Sequence, residues 1–275
     1  MNAKICFIGA GNMAQSLIGG LITSGYDRQN IIATDPTQAQ RNNVTERFGI
    51  NCYDNNATAI SIADIVVLAI KPQVLESVCQ EINPAIQSKK PLVISVAAGI
   101  RTDAINQWLG NQNAIVRTMP NTPSLIQAGA TGLYANTYVT EEQKNQAEHI
   151  MRAVGLAVWV DEEKLLDSVT ALSGSGPAYY FLFMEAMEEA GRALGLDKKT
   201  AHILTLQTAI GASKMALESN QSCANLRHNV TSPNGTTERA IQSFESAEFK
   251  QIIANAMEAA YKRAGELADE LGGKA

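Results

Sequence analysis

Lys4-Ile5-Cys6-Phe7-Ile8-Gly9-Ala10-Gly11-Asn12-Met13-Ala14 is the stretch whose reading decides the fold. A short apolar run reads as a strand, two glycines break it, and a helical pattern follows. Glycine at 9 and 11 lets the backbone turn tightly and approach a ligand. The helix amino end offers unpaired N–H groups and a partial positive charge. Ala14 fills the third small position of the pattern, where helix and strand pack closely. Gly9, Ala10, Gly11, Asn12, Met13 and Ala14 are therefore the candidate seat of a pyrophosphate. The alternative is an ordinary strand–turn–helix without a ligand.

Strands and helices alternate outward from this turn. Strands are expected at 5–8, 31–34, 65–69, 92–96, 114–117, 130–134 and 157–160. Helices are expected at 13–24, 36–48, 55–61, 74–86, 102–109 and from Thr140 to about 154. Thr140 with Gln143 three residues on is a capping-box arrangement. The run at 65–69 is almost wholly apolar, as a parallel strand covered on both faces must be. Pro72 ends it. The expectation is an α/β chain: an open parallel, Rossmann-like sheet over residues 1–161, then a second, all-helical domain over 162–275.

Composition narrows the function classes. Apolar residues make up 45% of the 275-residue chain, enough for a large core. Net charge is -5 and no basic run occurs, which argues against nucleic acid. The longest apolar stretches, 65–70 and 92–98, are far too short to span a bilayer. The amino end does not read as a signal peptide. The four cysteines form no C-x-x-C pair, so reduced thiols in a cytoplasmic protein are expected. The three histidines lie far apart, so no metal site is expected.

The second half changes character. Leu165, Val169 and Leu172 share a helical face. Ser173-Gly174-Ser175-Gly176 interrupts, and Pro177 suits a first helical turn. Long helices are expected at 179–194 and 200–217. The second is apolar on more than one face through Ile203, Leu204, Leu206 and Ile210, which points either to a subunit interface or to a helix central to its own domain. Val230-Thr231-Ser232-Pro233-Asn234-Gly235-Thr236-Thr237-Glu238 then makes a tight turn opening a helix. Its N–H and hydroxyl donors would seat a carboxylate; a capped turn between helices is the alternative.

At the end of the second strand, Thr34 and Asp35 face the expected ribose. An acid there accepts hydrogen bonds from ribose hydroxyls, which favours NAD slightly. Arg41 and Asn42 stand about two helical turns on, by this reading out of reach of a 2′-phosphate.

The chain resembles the pyrroline-5-carboxylate reductases, enzymes of the last step of proline synthesis. The resemblance covers almost the whole length. It rests on Ile8–Ala14, on Ala69-Ile70-Lys71-Pro72-Gln73, on Ser95-Val96-Ala97-Ala98-Gly99-Ile100, on Arg117-Thr118-Met119-Pro120-Asn121-Thr122-Pro123, on Leu172–Tyr179 and on Val230–Thr237. The first motif is shared with many dehydrogenases; the later ones in this order are specific. Asn234 stands where the family usually has a second glycine, and asparagine tolerates left-handed backbone angles.

The resemblance implies a helical dimerisation domain whose helices are exchanged between subunits, with dimers building a larger ring, a decamer. It implies NADPH or NADH as cofactor, the family often preferring NADPH. It implies that Asn56 lies near the adenosine ribose, and that Ala69, Ile70, Lys71, Pro72, Ala97 and Asn121 line the path to the nicotinamide. It implies that Ser232, Gly235 and Thr236 hold the substrate carboxylate and that the Thr237 hydroxyl reaches the ring nitrogen. The substrate already contains a C=N bond, so binding and orientation matter more than a strong enzymatic acid. Lys71 would meet cofactor phosphate or substrate carboxylate, or serve only as a surface lysine. Two rival readings are a hydroxyacid dehydrogenase, with Lys214 its nearest general acid, and a dinucleotide-binding protein without turnover.

Overall fold

A computed structural model describes residues 3–272. The first half reads β1 (Ile5–Ile8), α1 (Asn12–Thr23), β2 (Ile31–Thr34), α2 (Gln38–Phe48), β3 (Asn51–Tyr53), α3 (Asn56–Ile60), β4 (Ile65–Leu68), α4 (Pro72–Lys89), β5 (Leu92–Ser95) and α5 (Thr102–Trp108). It continues with β6 (Ile115–Met119), β7 (Gly129–Ala135), α6 (Glu141–Arg152) and β8 (Gly155–Trp159). The strands form one sheet in the order β3-β2-β1-β4-β5-β6-β7-β8.

Two cores explain the unbroken apolar strands. Ile5, Phe7, Ile65 and Val67 pack into one cluster with Leu17, Ile18 and Leu21 of α1. Cys6, Ile8, Val66 and Leu68 pack into the other with Leu75, Cys79 and Ile82 of α4. Adjacent residues of one strand thus point to opposite faces and both faces are covered. Each large aliphatic side chain so buried contributes roughly 1.5–3 kcal/mol. The Thr140–Gln143 capping box is present at the start of α6.

The sheet is mixed, where an all-parallel one was expected. β7 runs antiparallel to β6, and β8 runs parallel to β7. The connection from Met119 to Gly129 is short and contains a 3₁₀ turn, Thr122–Ile126. A parallel return needs a crossover of about a dozen residues or more, so this link can only reverse direction. The helix α6 then supplies the crossover to β8. The edge strand β3 has only three residues, half exposed, and gave no periodic signal of its own.

The helical part comprises α7 (Leu165–Val169), a π-helical turn (Thr170–Gly174), α8 (Gly176–Ala193), α9 (Lys198–Glu218), α10 (Cys223–Asn229), α11 (Thr236–Ser246) and α12 (Phe249–Leu271). The chain divides into two compact units. The first runs up to Ser175 and takes in the segment from Ala260; the second is Gly176–Ala259. The first compact unit thus runs on past residue 161 to Ser175. A reason is visible at β7: Val169 and Leu166 crowd so close to Gly132 that a Cβ there would meet them at 2.8 and 3.1 Å.

In the second unit α8 and α9 are joined by His202 Nδ1 and Glu188 Oε1, 2.7 Å apart. Along α9 only Ala201 and Thr205 are buried, while Ile203, Leu204 and Ile210 are exposed. Its apolar circumference is thus not covered within the chain.

Candidate active site

The strand order reverses at β1, with β2 on one side and β4 on the other. Ligands of open α/β sheets bind at such a switch point, beyond the carboxyl ends of the strands. Those ends are stitched together here. Gly9 N–H donates to Thr34 O at 2.9 Å, Ala69 N–H to Ile8 O at 2.8 Å, and Val96 N–H to Leu68 O at 3.2 Å. Gly9, Thr34, Ala69, Ile70 and Val96 are thereby brought to one edge.

The two glycines of the turn do different work. Gly9 has φ +93°, and a Cβ on it would lie 2.6 Å from Ala69 O and 2.7 Å from Ile70 Cγ2. Only glycine fits there. Gly11 is the N-cap of α1, in extended backbone, with no side-chain cap and no acidic residue in the first turn. A Cβ on Gly11 would meet nothing within 4 Å. The first N–H groups of α1 thus open onto free space that one methyl would begin to fill. This donor set and this room fit the diphosphate of a dinucleotide. Ala10 O accepts from Gln15 Nε2 at 3.0 Å and Gln40 Nε2 at 2.6 Å, which holds the turn from both sides.

The loop after β2 is more tightly organised than its sequence suggested. Asp35 Oδ2 accepts the Ala10 N–H at 3.1 Å and Oδ1 accepts the Thr37 N–H at 2.9 Å. Thr34 Oγ1 donates to Asn56 Oδ1 at 2.6 Å, and Asn56 Nδ2 donates to Glu81 Oε1 at 3.1 Å. Arg41 turns back onto this same loop. Because α2 begins at Gln38, Arg41 lies in its first turn and folds back to donate to Asp35 O at 2.8 Å and Pro36 O at 2.9 Å.

On the other flank, Lys71 is the exposed N-cap of α4, with Pro72 in the first turn. Ala97 is buried after β5, its N–H donating to Ser95 Oγ at 3.3 Å. Asn121 is engaged at both ends of its amide: Nδ2 donates to Ser173 O and Oδ1 accepts the Ala130 N–H, each at 2.9 Å. It ties the loop after β6 to β7 and to the π-helical turn.

An ion pair on a buried arginine, which sequence patterning missed, stands behind the loop after β5. Arg117 Nη1 lies 3.2 Å from Glu163 Oε1 and is only 3% exposed. The same carboxylate accepts the Thr102 N–H at 2.7 Å and the Thr102 Oγ1–H at 2.9 Å. Glu163 thus caps α5 from sixty-one residues away. Asp167 completes the group at 4.0 Å from Arg117 Nη2. Burial raises its carboxyl above the ordinary range, against the lowering pull of Arg117.

In the second unit, the donor-rich bend forms as a true turn. Asn234 takes φ +60°, the left-handed region that asparagine accepts more readily than most residues. Gly235 N–H donates to Ser232 O at 3.0 Å, and Asn234 N–H to Glu238 Oε2 at 2.9 Å. Gly235 is the N-cap of α11 and makes no side-chain cap, so Thr236 and Thr237 open the helix. Ser232 and Thr236 are exposed and Thr237 half-buried.

No group of three or more His, Cys, Asp or Glu side chains able to hold a metal occurs among the described residues. No helix among them is long and apolar enough to cross a membrane.

A glycine turn at the switch point of such a sheet, with an acid after β2, defines a dinucleotide-dependent oxidoreductase of the Rossmann class. Residues 163–267 match the family described as pyrroline-5-carboxylate reductase dimerisation, and residues 4–99 the family described as NADP oxidoreductase, coenzyme F420-dependent. The chain is 51% identical to the pyrroline-5-carboxylate reductase of Pseudomonas aeruginosa, over 98% of each chain. It is similar to the solved structure of a pyrroline-5-carboxylate reductase from Coxiella burnetii, at 48% identity and TM-score 0.95, covering 98% of this chain and 100% of that one. It is also similar to the Plasmodium falciparum pyrroline carboxylate reductase solved with NADP bound, at 31% identity and TM-score 0.85, covering 98% and 99%. The chain belongs to the pyrroline-5-carboxylate reductase family.

Proposed function

We propose that this chain reduces 1-pyrroline-5-carboxylate to L-proline with NADPH or NADH, the final step of proline biosynthesis. The observation that carries this reading is the open, uncapped α1 terminus at Gly11 in a chain whose near-full-length relatives carry that activity.

The roles follow from chemistry. The N–H groups of Asn12, Met13 and Ala14 hold the diphosphate. Thr34, Asp35 and Asn56 bind the adenosine ribose. Ala69, Ile70, Lys71, Pro72, Ala97 and Asn121 form the wall for the nicotinamide. When bound, the reduced nicotinamide supplies the hydride. The substrate carboxylate is held by Ser232 and by the N–H groups of Gly235 and Thr236. Thr237 hydrogen-bonds the ring nitrogen. Hydride adds to the imine carbon, the C=N π pair passes to nitrogen, and the protonated imine becomes a secondary amine. A protonated imine is electrophilic enough that these residues need only orient it and exclude water.

Nucleotide binding is assigned to residues 1–161, and substrate binding with dimerisation to 162–275; the family match over 163–267 supports that division. The exposed apolar face of α9 supports self-association as a dimer, and we extend this to a decamer assembled from such dimers. All four cysteines are unpaired, which fits the reducing cytoplasm.

The test is steady-state loss of NADPH absorbance with racemic pyrroline-5-carboxylate. Activity with 3-hydroxy acids and none with the imine would replace this reading with that of a hydroxyacid dehydrogenase. Thr237→Ala should lower kcat by about 10²-fold, the scale of a lost transition-state donor, with NADPH affinity unchanged. Equal loss of both would remove Thr237 from its role.

A further inference from the structure

The ribose end carries a cation with no role in the scheme so far. The Arg41 guanidinium has five N–H donors. Nη1 gives two of them to Asp35 O and Pro36 O, and Nη2 gives one to Gln38 Oε1 at 2.5 Å. Nε–H and the second Nη2–H remain, on a side chain that is only half-buried. The group is thus anchored on the loop between β2 and α2 with two donors to offer.

Asp35 is oriented the other way. Both of its carboxylate oxygens accept backbone N–H groups, from Ala10 and Thr37. Its charge is turned into the glycine turn, while its backbone carbonyl holds Arg41. An acid after β2 ordinarily selects the free ribose hydroxyl, and an arginine nearby accommodates a 2′-phosphate. Here the arginine is built onto the same loop as the acid.

We propose that Arg41 is the specificity-determining residue for the cofactor: its free donors bind a phosphate monoester on the 2′ carbon of the adenosine ribose, so this chain binds NADPH more tightly than NADH despite Asp35. Arginine pairs with phosphate through a planar fork of charge-assisted hydrogen bonds. Anchoring by two carbonyls lowers the ordering cost of that contact. The inference rests on the dinucleotide reading of the Gly9–Ala14 turn and deepens it.

Equilibrium titration of the purified protein, followed by nicotinamide fluorescence, tests it without turnover. The wild type should bind NADPH about tenfold more tightly than NADH, the scale of one charge-assisted contact. Arg41→Gln should weaken NADPH by about tenfold and leave NADH within about twofold. Arg41→Lys should recover part of the loss, which keeps the test valid if the glutamine variant folds poorly. In competition, 2′-AMP should displace NADPH from the wild type better than 5′-AMP does, and lose that advantage in Arg41→Gln. Added salt should weaken NADPH more in the wild type than in the variant. Equal weakening of both nucleotides in Arg41→Gln, or of neither, would overturn the assignment to Arg41. A wild type that bound neither nucleotide would instead refute the dinucleotide site.

Discussion

One methyl group, placed at either of two glycines two residues apart, separates the structural half of the turn from its binding half. At Gly9 the backbone sits at φ +93°, and an added Cβ would lie 2.6 Å from Ala69 O, a backbone atom that β4 holds in place. The left-handed conformation costs roughly 1–2 kcal/mol for an L-residue. Overpacking against fixed neighbours adds roughly 1–3 kcal/mol. Gly9→Ala should therefore destabilise by about 2–5 kcal/mol, or roughly 5–15 °C in Tm at the slope expected for a domain of this size. At Gly11 the backbone is extended and a Cβ would touch nothing within 4 Å. Gly11→Ala should thus change stability by less than about 0.5 kcal/mol. Its methyl would occupy the room left for the diphosphate, so NADPH affinity should fall by about tenfold or more, or 1.4 kcal/mol. Thermal melts followed by circular dichroism without nucleotide read the first effect, and fluorescence titration with NADPH reads the second. If Gly11→Ala melted as early as Gly9→Ala, or bound NADPH as tightly as the wild type, the division of labour would be wrong.

Three other changes probe the rest of the molecule. Glu163→Ala removes the partner of the buried Arg117 and the cap on Thr102, so a loss of about 3 kcal/mol is expected in urea unfolding; a change under about 0.5 kcal/mol would mean that the pair is not structural. Asp167 has its carboxyl raised by burial, so the folded chain binds that proton more readily than the unfolded one. Its ionisation therefore removes stability as pH rises from the ordinary carboxylate range through its folded value. Asp167→Asn should raise Tm at pH 7 by an amount that shrinks toward pH 4, and a gain that grew on acidification would contradict the sign. Ile210→Asp, on the exposed face of α9, should lower the assembly mass measured by light scattering while leaving the melting of the monomer unchanged; an unaltered mass would move the interface elsewhere.

Much of the fold was legible because its signals are local. The apolar runs at 65–68 and 92–95, the two glycines after Ile8 and the Thr140–Gln143 cap each declare themselves within a few residues, through period, backbone freedom or a neighbouring hydrogen bond. Strand β3 was too short and too exposed to show a period. The tight turn at Pro233-Asn234-Gly235 was readable from residue type, its left-handed angle at Asn234 from the resemblance, and the structure has that residue at φ +60°.

Tertiary structure decided what depends on distant partners. The direction of β7 followed from a link too short for a crossover, and its pairing was fixed against β6 and β8. The start of α2 at Gln38 brought Arg41 within reach of Asp35 and Pro36, a matter of rotamer and helix boundary that spacing does not encode. Glu163 found Thr102 and Arg117 from 61 and 46 residues away. The segment from Ala260 joined the first unit through Leu267 and Leu271 beside Gly99. Residue chemistry and short-range periodicity name the elements and the turn; which side chains meet is set by packing, because close-packed interiors admit few arrangements and those are chosen by the whole chain at once.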